Sequence, residues 1–310
     1  MRILLTGGSG FVGSNLAHVF ARRGAEVVAP SHATLDLTDG AATLRAVRAI
    51  APDAIVHAAI PNDPAAMAAD RRAAWAAYVG ATRHVVDAAN AAAAHVVLVS
   101  TDWVFDGTQA PATEDAPPNP VNQYGFLKAA SELVVGERAE RGTVARIAGV
   151  QGAHRARPAA PRRQDAGFGY LVASLADALR RGEPFTVWED ERINMRATPT
   201  LATGAGELIW RALEREATGV LHCCGGEHAD REALARATVA AFDLDGDLLA
   251  FGPPDEEATG AEAIPYDTRL DASATAAALG VTLPGLRTQL GRLRRQIDTG
   301  RIEQEDAITA

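Results

Sequence analysis

The stretch TGGSGFVGSNLA, residues 6–17, decides the fold, because it places four glycines within seven residues. It follows the apolar run RILLT and precedes a helical pattern. Glycine costs backbone entropy, so such a cluster marks a place where side chains would obstruct an approaching group. The spacing fits G-x-G-x-x-G from Gly8 and G-x-x-G-x-x-G from Gly7, and the strand-turn-helix context is that of a dinucleotide-binding loop. Bare main chain and the start of a helix suit a pyrophosphate. The residues of this stretch that are predicted to bind the dinucleotide are Gly7, Gly10, Phe11, Val12 and Gly13.

Short apolar runs alternate with helical patterns along the first half of the chain. Strands are predicted at 2–6, 25–30, 53–59, 95–100 and 143–149, with helices at 14–24, 41–52, 71–92 and 122–142. This alternation predicts an α/β fold, a Rossmann-type doubly wound parallel sheet with helices on both faces. After Gly152 the periodicity weakens, and helices or strands are predicted at 170–182, 184–189, 204–219, 219–224 and 230–245.

These patterns divide the chain into a dinucleotide-binding domain and a smaller substrate-binding part. The first spans 1–150, with returning segments near 195–222. The second takes 151–194 and 223–300, and 301–310 is expected to be a polar, frayed tail.

Bulk composition narrows the class of protein. The net charge of -9 argues against general nucleic-acid binding. No apolar run is long enough for a bilayer span or a signal peptide, which favours a cytoplasmic protein. The two cysteines, Cys223 and Cys224, are adjacent, so they are interpreted as buried thiols rather than a disulfide. A metal role with His222 and His228 is the less favoured alternative, and no metal is predicted.

The end of the second strand bears on the choice of coenzyme. A carboxylate here would hold the ribose 2′-hydroxyl of NAD, but Ala29 to His32 contain no acid. Ser31 can accept a 2′-phosphate, so NADP is favoured, with NAD as the alternative. Asp36 is predicted to hold the adenine amino group, although it also fits a simple turn residue.

Tyr124 and Lys128 in NQYGFLKAA lie four residues apart, which puts both side chains on one face of a helix. A neighbouring ammonium favours the phenolate, so the pair can exchange a proton with a carbonyl oxygen. The preceding strand ends in VLVSTDWVFDG, and its Ser100 or Thr101 can hydrogen-bond a substrate carbonyl.

The motifs TGGSGFVG, DAIVHAA, VSTDWVFDG and PPNPVNQYGFLK resemble the extended short-chain dehydrogenase/reductase superfamily. STDWVFDG is similar to the S-T-D-Y-V-F-[DP]-G of its dTDP-4-dehydrorhamnose reductase branch. The resemblance implies a homodimer that reduces a ketone on a nucleotide-linked sugar. It makes Thr101 the triad hydroxyl, Tyr124 the proton donor, and Lys128 the residue that lowers the tyrosine pKa and holds the nicotinamide ribose. Other residues that it implies for the coenzyme are Asp36, Leu37, Ala58, Ala59 and Ser100.

The chain departs from the pattern of that branch at three positions. Tyr78 stands where relatives carry an asparagine, which puts any relay through that asparagine in doubt. Gly149 replaces a tryptophan that contacts the sugar and is expected to open the pocket. Trp103 replaces a tyrosine, and either stacks on the substrate or packs under its loop. The predicted substrate-binding residues are Asp102, Trp103 and Arg196.

An arginine-rich loop adds a further candidate. Arg155, Arg157, Arg162 and Arg163 are predicted either to clamp a diphosphate or carboxylate or to form a solvated loop.

Three functions stay open at this point. The preferred one is the sugar reductase. The chain also resembles the dinucleotide-binding regulatory subunit of methionine adenosyltransferase. A reductase of a non-sugar secondary metabolite is a further alternative, suggested by Gly149 and Tyr78. A dehydratase is disfavoured because its S-T-D-E-V-Y-G glutamate is absent, and an epimerase because the second-strand acid is absent.

Overall fold

A computed structural model describes residues 1–61, 63–157, 163–255 and 262–302. Within them, six parallel strands form the main sheet in the order β10-β5-β4-β3-β1-β2. The strands are β1 (Arg2–Thr6), β2 (Glu26–Val28), β3 (Ala54–His57), β4 (His95–Thr101), β5 (Gly142–Ile147) and β10 (Gly219–His222). The predicted doubly wound parallel sheet is confirmed.

Helices cover both faces of this sheet. On one face lie α1 (Phe11–Arg22) and α8 (Ala202–Glu214). On the other lie α2 (Gly40–Ile50), α5 (Ala81–Ala91) and α6 (Gln123–Arg138). The inner strands β1, β3, β4 and β5 are buried on both sides, which is why they appear in the sequence as continuous apolar runs. The edge strands β2 and β10 are partly exposed.

Three short elements cross the region between β3 and α5. They are α3 (Pro64–Ala69), α4 (Arg71–Trp75) and a π-helical turn over Ala76–Gly80 that leads directly into α5. The 71–92 pattern was predicted as one helix, and the π turn interrupts it where Tyr78 lies. Such turns are rare and often accompany functional sites.

A second hydrophobic core forms outside the main sheet. It packs α7 (Leu171–Arg180), α9 (Arg231–Phe242) and α11 (Leu286–Thr299) around a parallel strand pair. That pair is β7 (Phe185–Trp188) and β12 (Leu249–Gly252). The remaining elements are the short strands β6 (Val150–Gln151), β8 (Arg196–Ala197), β9 (Thr200–Leu201) and β11 (Ala229–Asp230), and the helix α10 (Ser273–Leu279).

The polar tail predicted at 301–310 is described only in its first two residues, so its fraying stays a prediction. Ile302 is buried in the core between the sheet and α1. Residues 303–310 lie outside the described residues.

The order of the main sheet reverses at β1, since β2 lies on one side of it and β3 on the other. A crevice is expected beyond the carboxyl ends of the strands at such a point. The loops after β1 and β3 therefore define where a ligand enters.

Candidate active site

The glycine loop after β1 is built of bare main chain. Gly7 has a φ of +75°, and a Cβ there would lie 2.7 Å from the carbonyl carbon of Ala58. A Cβ on Gly13 would lie 2.1 Å from the oxygen of Gly7. Gly10 precedes α1, and no side chain caps that helix. The first N–H groups of α1 are thus left to face the crevice, where an anion satisfies them.

A cavity of about 550 Å³ opens from this loop. It runs from the end of β2 past β1 and β3 to the catalytic candidates on α6. The sequence-predicted residues that line it are Gly7, Gly10, Phe11, Val12, Gly13, Asp36, Leu37, Ala58, Ala59, Ser100, Tyr124 and Lys128. Because the lining runs from the residues after β2 through the glycine loop to α6, the cavity fits an extended dinucleotide.

Two residues predicted to bind the coenzyme, Ser31 and Asp36, follow β2, and only one of them lines the cavity. Asp36 lines the cavity, and its carboxylate accepts hydrogen bonds from the Thr38 N–H and hydroxyl, which lower its pKa. Ser31 lies outside the lining, and its hydroxyl is 2.6 Å from that of Thr34. Its neighbours Pro30 and His32 face the cavity instead.

Tyr124 and Lys128 lie in the first turns of α6, which Asn122 caps by accepting from Gly125 N at 2.8 Å. The Lys128 ammonium is buried and donates to the Val99 carbonyl at 2.8 Å. Burial lowers the pKa of Lys128 to about 8, against an opposing effect of Glu132. Burial also raises the pKa of Tyr124 to about 12, although a hydrogen bond with Thr101 lowers it.

The strand-end residues after Ser100 form a small network beside Tyr124. Thr101 Oγ1 donates to Asp102 Oδ1 at 3.1 Å and accepts from the Trp103 N–H at 3.2 Å. Asp102 is buried, which raises its pKa to about 7. The Trp103 ring meets the Tyr124 ring edge to face, with centroids 6.0 Å apart. None of these three residues lines the cavity described above.

Behind the pair lies a buried ion pair that the sequence reading missed. Glu132, four residues after Lys128, binds Arg146 of β5 at 2.8 Å and accepts from the Ser100 hydroxyl at 2.5 Å. His222 Nε2 lies 3.4 Å from the Arg146 guanidinium. The sequence contains one indication of this ion pair, an acidic residue one helical turn after Lys128. Nothing in the sequence indicated that Arg146 lies opposite it.

Lys128 is the only lysine among 310 residues, beside 29 arginines. The single ammonium lies in the cavity, next to the one tyrosine that shares its helix face.

The family model described as RmlD substrate binding domain matches residues 1–298, nearly the whole chain. The protein belongs to this family. The resemblance to the extended short-chain dehydrogenase/reductases, in the branch typified by RmlD, is thereby confirmed.

Individual relatives of this RmlD family protein carry different names. A dTDP-4-dehydrorhamnose reductase from Streptomyces griseus is 36% identical over 154 residues, 49% of this chain and 51% of that protein. The match thus spans about half of that reductase. Methionine adenosyltransferase 2 subunit beta from Xenopus tropicalis is 26% identical over 88% of this chain and 80% of its own length.

A solved structure agrees on the fold. The crystal structure of dTDP-4-dehydrorhamnose reductase from Bacillus anthracis in complex with NADP has a TM-score of 0.78. It is 21% identical and covers 94% of this chain and 98% of its own. At that identity the likeness shows the fold alone.

The RmlD family protein does not have the opened pocket expected at Gly149. Phe168, fully buried with a φ of +71°, approaches this glycine, and a Cβ there would lie 3.2 Å from the ring. Ala197 lies at the same distance. The aromatic side chain comes from a different part of the chain, so the motif alone did not reveal it.

The described arginines of the arginine-rich loop have different surroundings. Arg155 donates to the Gly300 carbonyl at 2.9 Å and to Asn15, so it links the loop to α1 and the end of α11. Arg157 lines the cavity. Arg163 is exposed, and Arg162 lies outside the described residues.

Arg196 and the cysteine region lie away from the cavity lining. Arg196 is exposed in β8, with its guanidinium 5.9 Å from the centre of the Tyr266 ring. Cys223 and Cys224 are both free and buried, as interpreted from the sequence. In the described part of the chain, no group of three or more acidic, cysteine or histidine residues is arranged to hold a metal ion.

No described helix has both the length and the apolar character that a membrane-spanning helix needs.

Proposed function

We propose that the protein is an oxidoreductase that reduces a ketone on a nucleotide-linked sugar with NADPH, or alternatively NADH. The observation that carries this proposal is the placement of the only lysine. Lys128 is the one lysine in a chain with 29 arginines, and it lies buried beside Tyr124 in the cavity that opens from the glycine loop.

The chemistry explains why this position needs an ammonium. A guanidinium is larger, planar and charged at all accessible pH values, whereas the pKa of a lysine responds to burial. The compact Lys128 head donates to the Val99 carbonyl and lies 5.9 Å from the centre of the Tyr78 ring.

The glycine loop fits the pyrophosphate of the coenzyme, because Gly7 and Gly13 leave no room for a Cβ and the first N–H groups of α1 are uncapped. Asp36 and Leu37 would hold the adenine end, and Lys128 the nicotinamide ribose. The chemistry that a bound nicotinamide supplies is hydride transfer to the carbonyl carbon.

Tyr124 gives its proton to the carbonyl oxygen, and this proton together with the hydride at the carbonyl carbon turns the ketone into an alcohol. With a pKa of about 12, the phenol is protonated at neutral pH and can act as the donor. Lys128 stabilises the phenolate that remains, and Thr101 orients the phenol through their hydrogen bond.

Substrate is proposed to bind on the side of Tyr124 where Trp103 lies. The Trp103 ring stands between Tyr124 and the loop at Gly167 of the second core, at which a Cβ would lie 2.7 Å from the indole. Asp102 and Arg196 are proposed to act from the same side. The nucleotide-sugar class follows the name of the Streptomyces griseus relative.

A second candidate function has its own observation. The similarity to methionine adenosyltransferase 2 subunit beta extends over 88% of this chain, further than the match to the Streptomyces griseus reductase. A dinucleotide-binding regulatory subunit would keep the cavity and have no turnover.

Coenzyme binding and turnover distinguish these candidates. NADPH and NADH are titrated against the purified protein by nicotinamide fluorescence. Then 4-keto nucleotide sugars and simple ketones are screened for oxidation of the bound coenzyme. We expect binding, and turnover with a nucleotide sugar. Binding without turnover on any ketone favours the regulatory subunit, turnover only on other ketones removes the sugar, and no binding overturns both functions.

We also propose that the protein is a cytoplasmic homodimer that pairs through α4 and α6. Three large apolar side chains on these helices are exposed: Trp75, Phe126 and Leu133. The Trp75 and Phe126 rings lie 6.4 Å apart, so the patch is continuous across the two helices. Exposed apolar patches of this kind mark interfaces.

A further inference from the structure

Tyr78 lies next to Tyr124 and Lys128, which we call the reaction pair. It occupies the position at which the sequence resemblance predicts an asparagine. It is buried within the π-helical turn, 3% exposed. Its ring meets that of Tyr124 edge to face, with centroids 6.3 Å apart. The Lys128 Nζ lies 5.9 Å from the centre of the Tyr78 ring. One aromatic ring therefore touches both members of the pair.

The phenol of Tyr78 points away from the reaction pair and is anchored. It donates to the Pro61 carbonyl at 2.9 Å and lies 3.7 Å from the Met67 sulfur. Pro61 lines the cavity. Burial raises the pKa of this phenol, so the ring stays neutral and its electron-rich face is available to a cation.

Lys128 has few charged neighbours to balance it. His57 of β3 is neutral, since burial lowers its pKa to about 3. Glu132 is the acid on the same helix, and it is already bound to Arg146 and Ser100. Tyr78 and Tyr124 are the other titratable groups that face the ammonium, and both are protonated at neutral pH.

We propose that Tyr78 is a positioning residue whose ring holds the Lys128 ammonium in its charged form beside Tyr124. The π-helical turn brings the ring to this place, and the bond to Pro61 fixes its orientation. Tyr78 itself transfers no proton to the substrate, because its hydroxyl is occupied by Pro61. The inference rests on the proposed function, in which a charged Lys128 supports the Tyr124 phenolate.

A desolvated cation–π contact is worth more than an exposed one, because no water competes for the cation. Replacing the ring by an aliphatic side chain removes this attraction and favours the neutral amine. The titration of Lys128 must then shift to lower pH, and the alkaline limit of turnover must shift with it.

The single lysine makes a direct test feasible without coenzyme or substrate. Protein labelled with lysine carrying ¹⁵N at Nζ and ¹³C at Cε gives one lysine signal, whose titration midpoint is followed by NMR. For Tyr78→Leu we expect the midpoint to fall by about 0.5 to 1 pH unit, while Tyr78→Phe stays within about 0.2 of the wild type. Phe251→Leu is the matched control, since Phe251 packs on Arg236, away from the cavity lining.

A ring of nearly unchanged shape serves if Tyr78→Leu does not fold. Trifluorophenylalanine at position 78, compared with Tyr78→Phe, weakens only the electron-rich face and should lower the midpoint in the same direction. An unchanged midpoint in the leucine or fluorinated protein overturns the proposal, as does a fall in Tyr78→Phe as large as in Tyr78→Leu. Because no coenzyme is present, failure of the proposed function would appear separately, in the fluorescence titration.

Discussion

At the residue scale, Tyr124 is the group on which turnover depends most. Tyr124→Phe removes only the hydroxyl that protonates the carbonyl oxygen, so turnover should fall at least about 100-fold. Coenzyme affinity, from nicotinamide fluorescence, should stay within about twofold, since the glycine loop is untouched. Tyr266→Phe, at an exposed ring outside the cavity lining, is the control. Wild-type turnover in Tyr124→Phe would remove this residue from the chemistry.

The pH dependence of reduction follows from Lys128. Burial lowers the pKa of its ammonium to about 8, so the charge that supports the phenolate is present below that pH and lost above it. Tyr124, with a pKa of about 12, stays protonated throughout this range. Turnover at saturating substrate should therefore be level below about pH 8 and fall about tenfold per unit above it. A level profile up to pH 10 would contradict this role.

The sequence predicted this pair because helical spacing is local: residues four apart share a face whatever the rest of the chain does. It did not predict Phe168 against Gly149 or Arg146 against Glu132. Those contacts join residues from separate elements, and no local rule specifies which elements meet. Ser31 was expected at a phosphate because of its place after β2, but its hydroxyl is engaged by Thr34.

At the scale of elements, the start of α1 depends on a glycine that has no room for a side chain. Gly13→Ala puts a Cβ 2.1 Å from the Gly7 oxygen, so β1 and α1 must separate. We expect loss of coenzyme binding and a lower melting temperature. Gly136→Ala, on the exposed side of α6 with open space around it, should instead stabilise by about 0.5 to 1 kcal/mol. Thermal unfolding with and without NADPH measures the stability and the coenzyme binding of both variants. If Gly13→Ala and Gly136→Ala behaved alike, the close fit proposed for the glycine loop would be contradicted.

The buried pair of Glu132 and Arg146 joins α6 to β5. Arg146→Met leaves the Glu132 carboxylate uncompensated and should cost about 3 to 5 kcal/mol of unfolding free energy. Adding Glu132→Met removes that charge and should restore most of the loss. Urea unfolding of the single and double variants gives the coupling. Additive losses would mean that the two charges act independently.

The sequence analysis did not predict three helices, α3, α10 and α11. The reasons are clear for α3 and α11. The first has six residues, too few to show a period. The second, LRTQLGRLRRQIDT, has polar or charged residues at most positions, and only a narrow apolar stripe contacts α9. Its Gln289 also donates to the Pro199 carbonyl and accepts from Leu201 N, contacts that no periodicity reveals.

At the scale of the whole molecule, the proposed homodimer predicts a dependence on the patch of α4 and α6. Leu133→Glu, at a side chain that is 67% exposed, should convert the dimer to a monomer, because a buried charge opposes association. Size-exclusion chromatography with light scattering reports the mass. Tyr266→Glu, at an exposed aromatic elsewhere, should leave it unchanged. A wild-type protein that is monomeric at micromolar concentration would contradict the prediction.

The main sheet was predictable because its inner strands are buried on both faces and therefore appear as short apolar runs between helical patterns. The second core was predictable only in outline. Its helices gather through contacts between distant segments, such as Arg231 donating to the Asn194 carbonyl at 2.7 Å. The proposed division into two domains stays a prediction, although β10 joins the main sheet after the chain has crossed the second core.

Because Lys128 is the only lysine, its chemical reactivity can report whether the cavity is filled. Apart from the amino terminus, the protein offers acylating reagents a single amine, and that amine lies inside the cavity. Mass spectrometry after brief exposure to such a reagent would count empty cavities as one added group on Lys128, besides any group added at the amino terminus. Any ligand that fills the nicotinamide end would suppress that addition, without requiring turnover.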